Sequence, residues 1–173
     1  RSSSLCLYDS NIGFWADFSV DGEVDGWTIY NGIHTYGCWN NFLFGTLYGD
    51  TSLIARSYSF SEVAAEDFYT VKIVMKVNLI ERIGTQIIPE HGRLSWVTVA
   101  DPSWDTDKSI DFTLNTEGDW YTYYINMGEV PGWQGDVYNL RISPILQDGR
   151  DGDEFFIRAI EILSIDTYKC TNG

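Results

Sequence analysis

The stretch richest in chemical groups is QDGRDGD, residues 147–153, with three carboxylates and two glycines among seven residues. Asp148, Asp151 and Asp153 are placed to offer oxygen ligands to a hard cation such as Ca2+ at about 2.3–2.6 Å. Gly149 and Gly152 give the backbone freedom to wrap around it. The spacing is not that of an EF-hand. Asp and Gly are also the residues of tight turns, so the competing reading is a β-turn between two strands.

Flat rings are the second candidate chemistry. The chain holds seven Trp, eleven Tyr and nine Phe. Sugars stack their CH-rich faces on such rings while Asn, Asp, Arg and Gln bond their hydroxyls. Trp39, Trp104, Trp120, Tyr124 and Trp133 are predicted to point outward or to lie on loops. Of these, Trp104, Trp120, Tyr124 and Trp133 are taken as the carbohydrate platform. The competing reading is that they fill the core or cap its edges; Trp27 and Trp96 are assigned to the core.

Charge narrows the partners. Twenty-five acidic against eleven basic residues give a net charge of −14. That opposes nucleic acid, which needs clustered Lys and Arg, and it disfavours anionic lipid surfaces. It suits calcium, neutral sugars or simple solubility. No stretch approaches the roughly 20 apolar residues of a membrane span. The chain opens on Arg1 without a charged and apolar leader, so it reads as a processed product or a fragment. Three Cys without a C-x-x-C spacing and only two His argue against zinc. No G-x-S-x-G, H-E-x-x-H or P-loop is present, so no catalytic residue is assigned.

The elements that must position these groups read as strands. Val71, Ile73, Met75, Val77 and Leu79 share one parity, opposite Lys72, Val74, Lys76 and Asn78. Period two over nine residues predicts a half-buried strand. Ile110, Phe112 and Leu114 alternate in the same way, as do Tyr121, Tyr123, Ile125 and Met127. Further strands are predicted at 14–18, 27–30, 42–48, 53–60, 93–99, 137–143 and 155–165. In the last of these, Phe155 and Ile157 oppose Ile160 and Ile162 in parity, which predicts a bulge near Arg158-Ala159; the alternative is a strand covered on both faces. Asp-Gly, Asn-Gly and Pro-Gly pairs separate the strands. The one helical candidate spans 61–67. About ten short strands with turns every 8 to 12 residues read as an all-β antiparallel sandwich.

The closing half, GDWYTYYINMGEVPGWQGDVYNLRISPI followed by the acidic-Gly loop and FFIRAIEIL, resembles carbohydrate-binding-module-like β-jelly rolls. The matching residues are Gly118 and Trp120, Trp133 and Gly135, Leu140 to Pro144, and Phe155 to Leu163. Upstream, ADFSVDGEVDGWTIYNG resembles the opening of that family. Arg158 stands where the family often carries Asp. The resemblance covers roughly residues 14–165 and implies a jelly roll of about ten strands with a sugar-binding role. It also implies a structural Ca2+ near the junction of the first and last strands. The loop 17–25 would then bring Asp21 towards Asp148, Asp151 and Asp153 as the ligand set.

Residues 1–13 are read as an N-terminal extension, either an arm that exchanges strands or one tethered by a disulfide, and 14–173 as a single domain. If the first and last strands pair antiparallel, centring 14–18 on 155–165 sets Cys6 opposite Cys170 and predicts a disulfide there. Cys38 is left over, or pairs with Cys6 in the alternative. Three functions follow. The first is a non-catalytic, secreted or cell-surface protein that binds a glycan or polysaccharide. The second is a structural subunit assembling with copies of itself in a filament. The third, minor, is a glycan-active enzyme.

Overall fold

The computed structural model describes the backbone of residues 4–172 and the side chains of residues 11–164. In chain order the strands are β1 (Ser4–Trp15), β2 (Trp27–Asn31), β3 (Ile33–Trp39), β4 (Phe42–Leu47), β5 (Leu53–Arg56), β6 (Val63–Ala64), β7 (Thr70–Asn78), β8 (His91–Thr98), β9 (Ser109–Thr113), β10 (Tyr121–Asn126), β11 (Asp136–Ser143) and β12 (Glu154–Asn172). They form two antiparallel six-stranded sheets. The first runs β10-β7-β12-β4-β3, with β1 also beside β12. The second runs β2-β5-β11-β8-β9, with β6 beside β11. The all-β sandwich expected from the alternation is what the chain adopts.

Alternation decides which face each residue takes. Val71, Ile73, Met75 and Val77 are buried, and the residues between them are only partly covered. Trp27, Leu43, Trp96, Leu140 and Phe155 meet them from both sheets in one core. In β12 the pairing with β7 shifts between Ile157 and Ala159. That bulge puts Phe155, Ile157, Ile160 and Ile162 on the inner side together, all fully buried.

Two strands were not expected. β3 pairs along β4, and β6 is a short bridge to β11 in place of the helix predicted over 61–67. Val63 explains the second difference: its side chain is buried, and its backbone is paired with Val137. β1 passes through position 13, with register shifts against β12 between Asp9 and Ser10 and between Ile12 and Phe14. Its Cα register sets Cys6 directly opposite Cys170. The side chains of these two cysteines lie outside the described residues.

Candidate functional site

Both outer faces of the sandwich carry aromatic rings, and their surroundings differ. On the second sheet, Leu140 and Ile142 turn inward, so Arg141 projects outward from the central strand β11. Its neighbours across the sheet are Ser95 on β8 and Ala55 on β5, and beyond them Ser109 and Thr28. A row of small side chains thus floors a groove, with one long side chain in its middle. Tyr30 stands at the β2 edge and Trp104 in the loop before β9. The Arg141 guanidinium carbon lies 4.3 Å from the Tyr30 ring centre and 4.1 Å from that of Trp104. Tyr30 is 61% exposed.

The adjoining row is polar. Ser143, Arg93 and Asp111 are aligned across β11, β8 and β9. Arg93 donates to Asp111 through Nε at 2.5 Å and Nη2 at 3.2 Å. That bond to Asp111 pushes the Arg93 pKa up, against the opposing effect of burial. Asp105 and Thr106 rim the groove with Trp104. Asp105 is held by Lys108, which donates at 2.8 Å to both Asp105 and Asp101. Burial presses the Lys108 pKa down, but its bonds to Asp101 and Asp105 outweigh that and raise it. The groove is shallow, about 250 Å³, below the usual range of closed small-molecule pockets. Its shape suits a chain lying across a surface, with rings and hydroxyls as its contacts.

On the first sheet Trp120 also packs against a guanidinium, as Tyr30 and Trp104 do on the second, and against a further cation and a further ring. Trp120 lies over the Arg158 guanidinium at 4.0 Å and the Lys76 ammonium at 5.2 Å, and its ring centre is 5.7 Å from that of Phe42. Phe42 in turn packs edge-on against Phe156 at 5.6 Å. Arg158 thus covers the indole. Tyr124 is 64% exposed and lies four residues further along the same face. Trp39 is exposed too, at the β3–β4 turn. The four platform residues therefore do not converge: Trp104 is on one sheet, Trp120 and Tyr124 on the other.

Trp133 is a correction. It is only 6% exposed, packs edge-to-face on Trp96 at 5.3 Å, and donates its indole N–H to the Phe68 carbonyl at 3.0 Å. Trp96 donates to the Gly132 carbonyl at 2.9 Å. A Cβ on Gly132 would meet the Asp107 carbonyl oxygen, so the Pro-Gly turn allows the close approach that seats Trp133 inward. Two residues of the groove, Tyr30 and Arg141, were missed. Their parity was readable: Tyr30 is three residues from inward Trp27, and Arg141 sits between two inward aliphatics.

The acidic loop is a turn with a buried anchor, and the predicted ligand set does not fit one ion. Asp148 and Gly152 both take positive φ, the backbone that Asp-Gly turns require. Asp153 is fully buried and accepts from Arg82 Nη1 and Nη2 at 2.8 and 2.7 Å, from Ile80 N at 2.9 Å and from Arg150 N at 2.8 Å. Burial pushes its carboxyl up, but Arg82 and the two backbone N–H groups outweigh that and hold it below the usual carboxylate range. Asp151 accepts from Gly49 N just after β4. Asp21 accepts from Asn40 N just before β4. Asp21 is thus separated from the loop by the length of that strand, roughly 20 Å. Among the described residues no three His, Cys, Asp or Glu come together as a metal cluster.

Cys38 is a buried free thiol donating to the Phe18 carbonyl at 3.3 Å. Burial first, then the nearby Asp21 and Asp17 charges, push its pKa up. Its β3 position pairs with Leu43, which removes it from the alternative pairing with Cys6.

Solved structures share this architecture. A variant of the family 29 carbohydrate-binding module CBM29-2, complexed with mannohexaose, superposes at a TM-score of 0.53 with 10% identity, covering 91% of this chain and 92% of that one. The chain folds as a carbohydrate-binding-module-like β-sandwich. A second variant of CBM29-2 gives a TM-score of 0.50 at 10% identity over 92% and 86% of the two chains. No protein-family model and no curated protein matches the sequence. Among the described residues no helix is long and apolar enough to cross a membrane.

Proposed function

We propose that this chain is a non-catalytic carbohydrate-binding protein that seats a polysaccharide in the groove on the outer face of the second sheet. One observation carries the reading: Tyr30 and Trp104 both pack against Arg141, beside a row of small, mostly hydroxyl-bearing side chains. Rings give stacking area and the floor gives hydrogen bonds, the combination sugars require. The fold shared with carbohydrate-binding modules supports it by analogy. The groove carboxylates support the non-catalytic part, because Asp105 and Asp111 are each ion-paired, with Lys108 and Arg93. An extracellular or cell-surface location goes with this reading, since polysaccharide is met there and a Cys6–Cys170 disulfide would persist there. A glycan array probed with the wild type and with Tyr30→Ala and Trp104→Ala tests it. Binding to a defined oligosaccharide class, lost in both variants, is expected; retention in both would overturn the assignment of the groove.

A second reading, assembly with copies of itself, is favoured by one backbone observation. β7 stops pairing with β12 at Leu163, and among the described residues β12 pairs only with β1 from Ser164 to Asn172. A two-stranded ribbon is marginal in water and its open edges accept further strands. Sedimentation velocity at rising concentration decides: polymers support this reading, and a single monomer boundary refutes it.

A further inference from the structure

Arg141 is the one groove charge whose partner is missing. Of the charged side chains lining the groove, Arg93 is bonded to Asp111 and Asp105 to Lys108. Arg141 has no ion pair and no hydrogen bond to its guanidinium among the described residues, and its Nε is buried without a partner. This occurs in a chain with a charge of −14, where acidic side chains are plentiful. The two rings pack against the guanidinium, with Tyr30 at 4.3 Å and Trp104 at 4.1 Å, and neither accepts an N–H hydrogen bond from it. A planar guanidinium has its N–H donors in the plane, at its edge. With Nε buried, the terminal amino groups are the guanidinium donors left for a ligand. That geometry fits the bidentate approach of a planar carboxylate.

Resting on the carbohydrate reading above, we infer that the groove selects a glycan carrying a uronate, whose carboxylate docks end-on to Arg141 while neighbouring neutral sugars use Tyr30, Trp104 and the hydroxyl floor. The whole-chain charge sets a further limit. A field from −14 repels a polyanion at a distance, so the ligand is a largely neutral chain bearing isolated uronate residues rather than a polyuronate.

The test uses the intact chain in calorimetric titrations. Probes are xylo-, gluco- and manno-hexaoses, each neutral, each with one glucuronate branch and each with one O-sulfate, together with polygalacturonate. The wild type binds the uronate member of at least one series about tenfold or more tighter than its neutral parent, the scale of a hydrogen bond to a charged group. Arg141→Gln loses that preference, binding neutral and uronate members of each series alike, while Arg141→Lys, which keeps the charge without the fork, recovers only part of it. Melting curves confirm that both variants are folded. Equal affinity for neutral and uronate members, preference for the sulfate, or tighter binding of polygalacturonate would each overturn the inference and leave the carbohydrate reading standing. Failure of every probe to bind would instead overturn the carbohydrate reading beneath it.

Discussion

Removing the Asp153 carboxylate tests whether the acidic loop is a structural anchor. In Asp153→Ala, Arg82 keeps its charge with its side chain only 7% exposed, and the N–H groups of Ile80 and Arg150 lose their acceptor. Breaking a buried ion pair from one side costs about 3–5 kcal/mol, because the remaining charge is stranded. Each buried N–H without an acceptor adds a cost of its own, about 1–3 kcal/mol where water cannot reach it. A loss of about 4 kcal/mol in this chain lowers Tm by about 8–16 °C. Urea unfolding followed by tryptophan fluorescence gives the free energy, and calorimetry gives Tm. The double variant Arg82→Leu/Asp153→Leu removes both charges and is expected to lose less than Asp153→Ala alone. The sign with pH follows from the lowered carboxyl. Its contribution is present above the ordinary carboxylate pKa of about 4 and fades as pH falls through the folded-state value. The gap between wild type and Asp153→Asn should therefore narrow below about pH 4. A cost under about 1 kcal/mol for Asp153→Ala, or a gap independent of pH down to 2, would refute the anchor.

Three further outcomes follow from the same structure. Chelation with EDTA should leave Tm unchanged, because Asp153 is already neutralised by Arg82 and Asp21 lies at the far end of β4; a fall of several degrees would restore the calcium expectation. Trp133→Ala should cost about 3–5 kcal/mol of stability by emptying the space against Trp96, and a variant of unchanged stability with lost glycan binding would return Trp133 to the platform. Non-reducing peptide mapping should recover Cys6 linked to Cys170, with reduction costing about 2–4 kcal/mol; the Cys38 thiol should react with a thiol reagent only after unfolding, and a crosslink containing Cys38 would defeat the assignment.

What could be read from the sequence was whatever repeats at short range. Period two in β7 fixed its inner face, and the parity break in β12 located the bulge now found between Ile157 and Ala159. The antiparallel register of the first and last strands also followed, because centring two strands requires no side-chain detail. Several of the misses depend on partners distant in sequence. Nothing near Asp153 announces that Arg82, 71 residues away, will claim its carboxylate. Trp133 sits in a Pro-Gly turn that looks exposed, and only Trp96 and the Phe68 carbonyl, supplied by other strands, draw it inside. Trp104 and Trp120 were both recognised as outward, yet their assignment to opposite sheets depends on the strand order. That order also decides that Tyr30 and Trp104 share Arg141.

The central claim is that glycan lies on the second sheet rather than the first. Heteronuclear NMR with a bound oligosaccharide separates the two faces directly, because each carries its own reporter indole. The account predicts that the Trp104 indole N–H, the Arg141 side-chain N–H signals and the Ser95 amide shift on titration while the Trp120 indole stays in place. Movement of Trp120 and Tyr124 with Trp104 and Arg141 unmoved would contradict it.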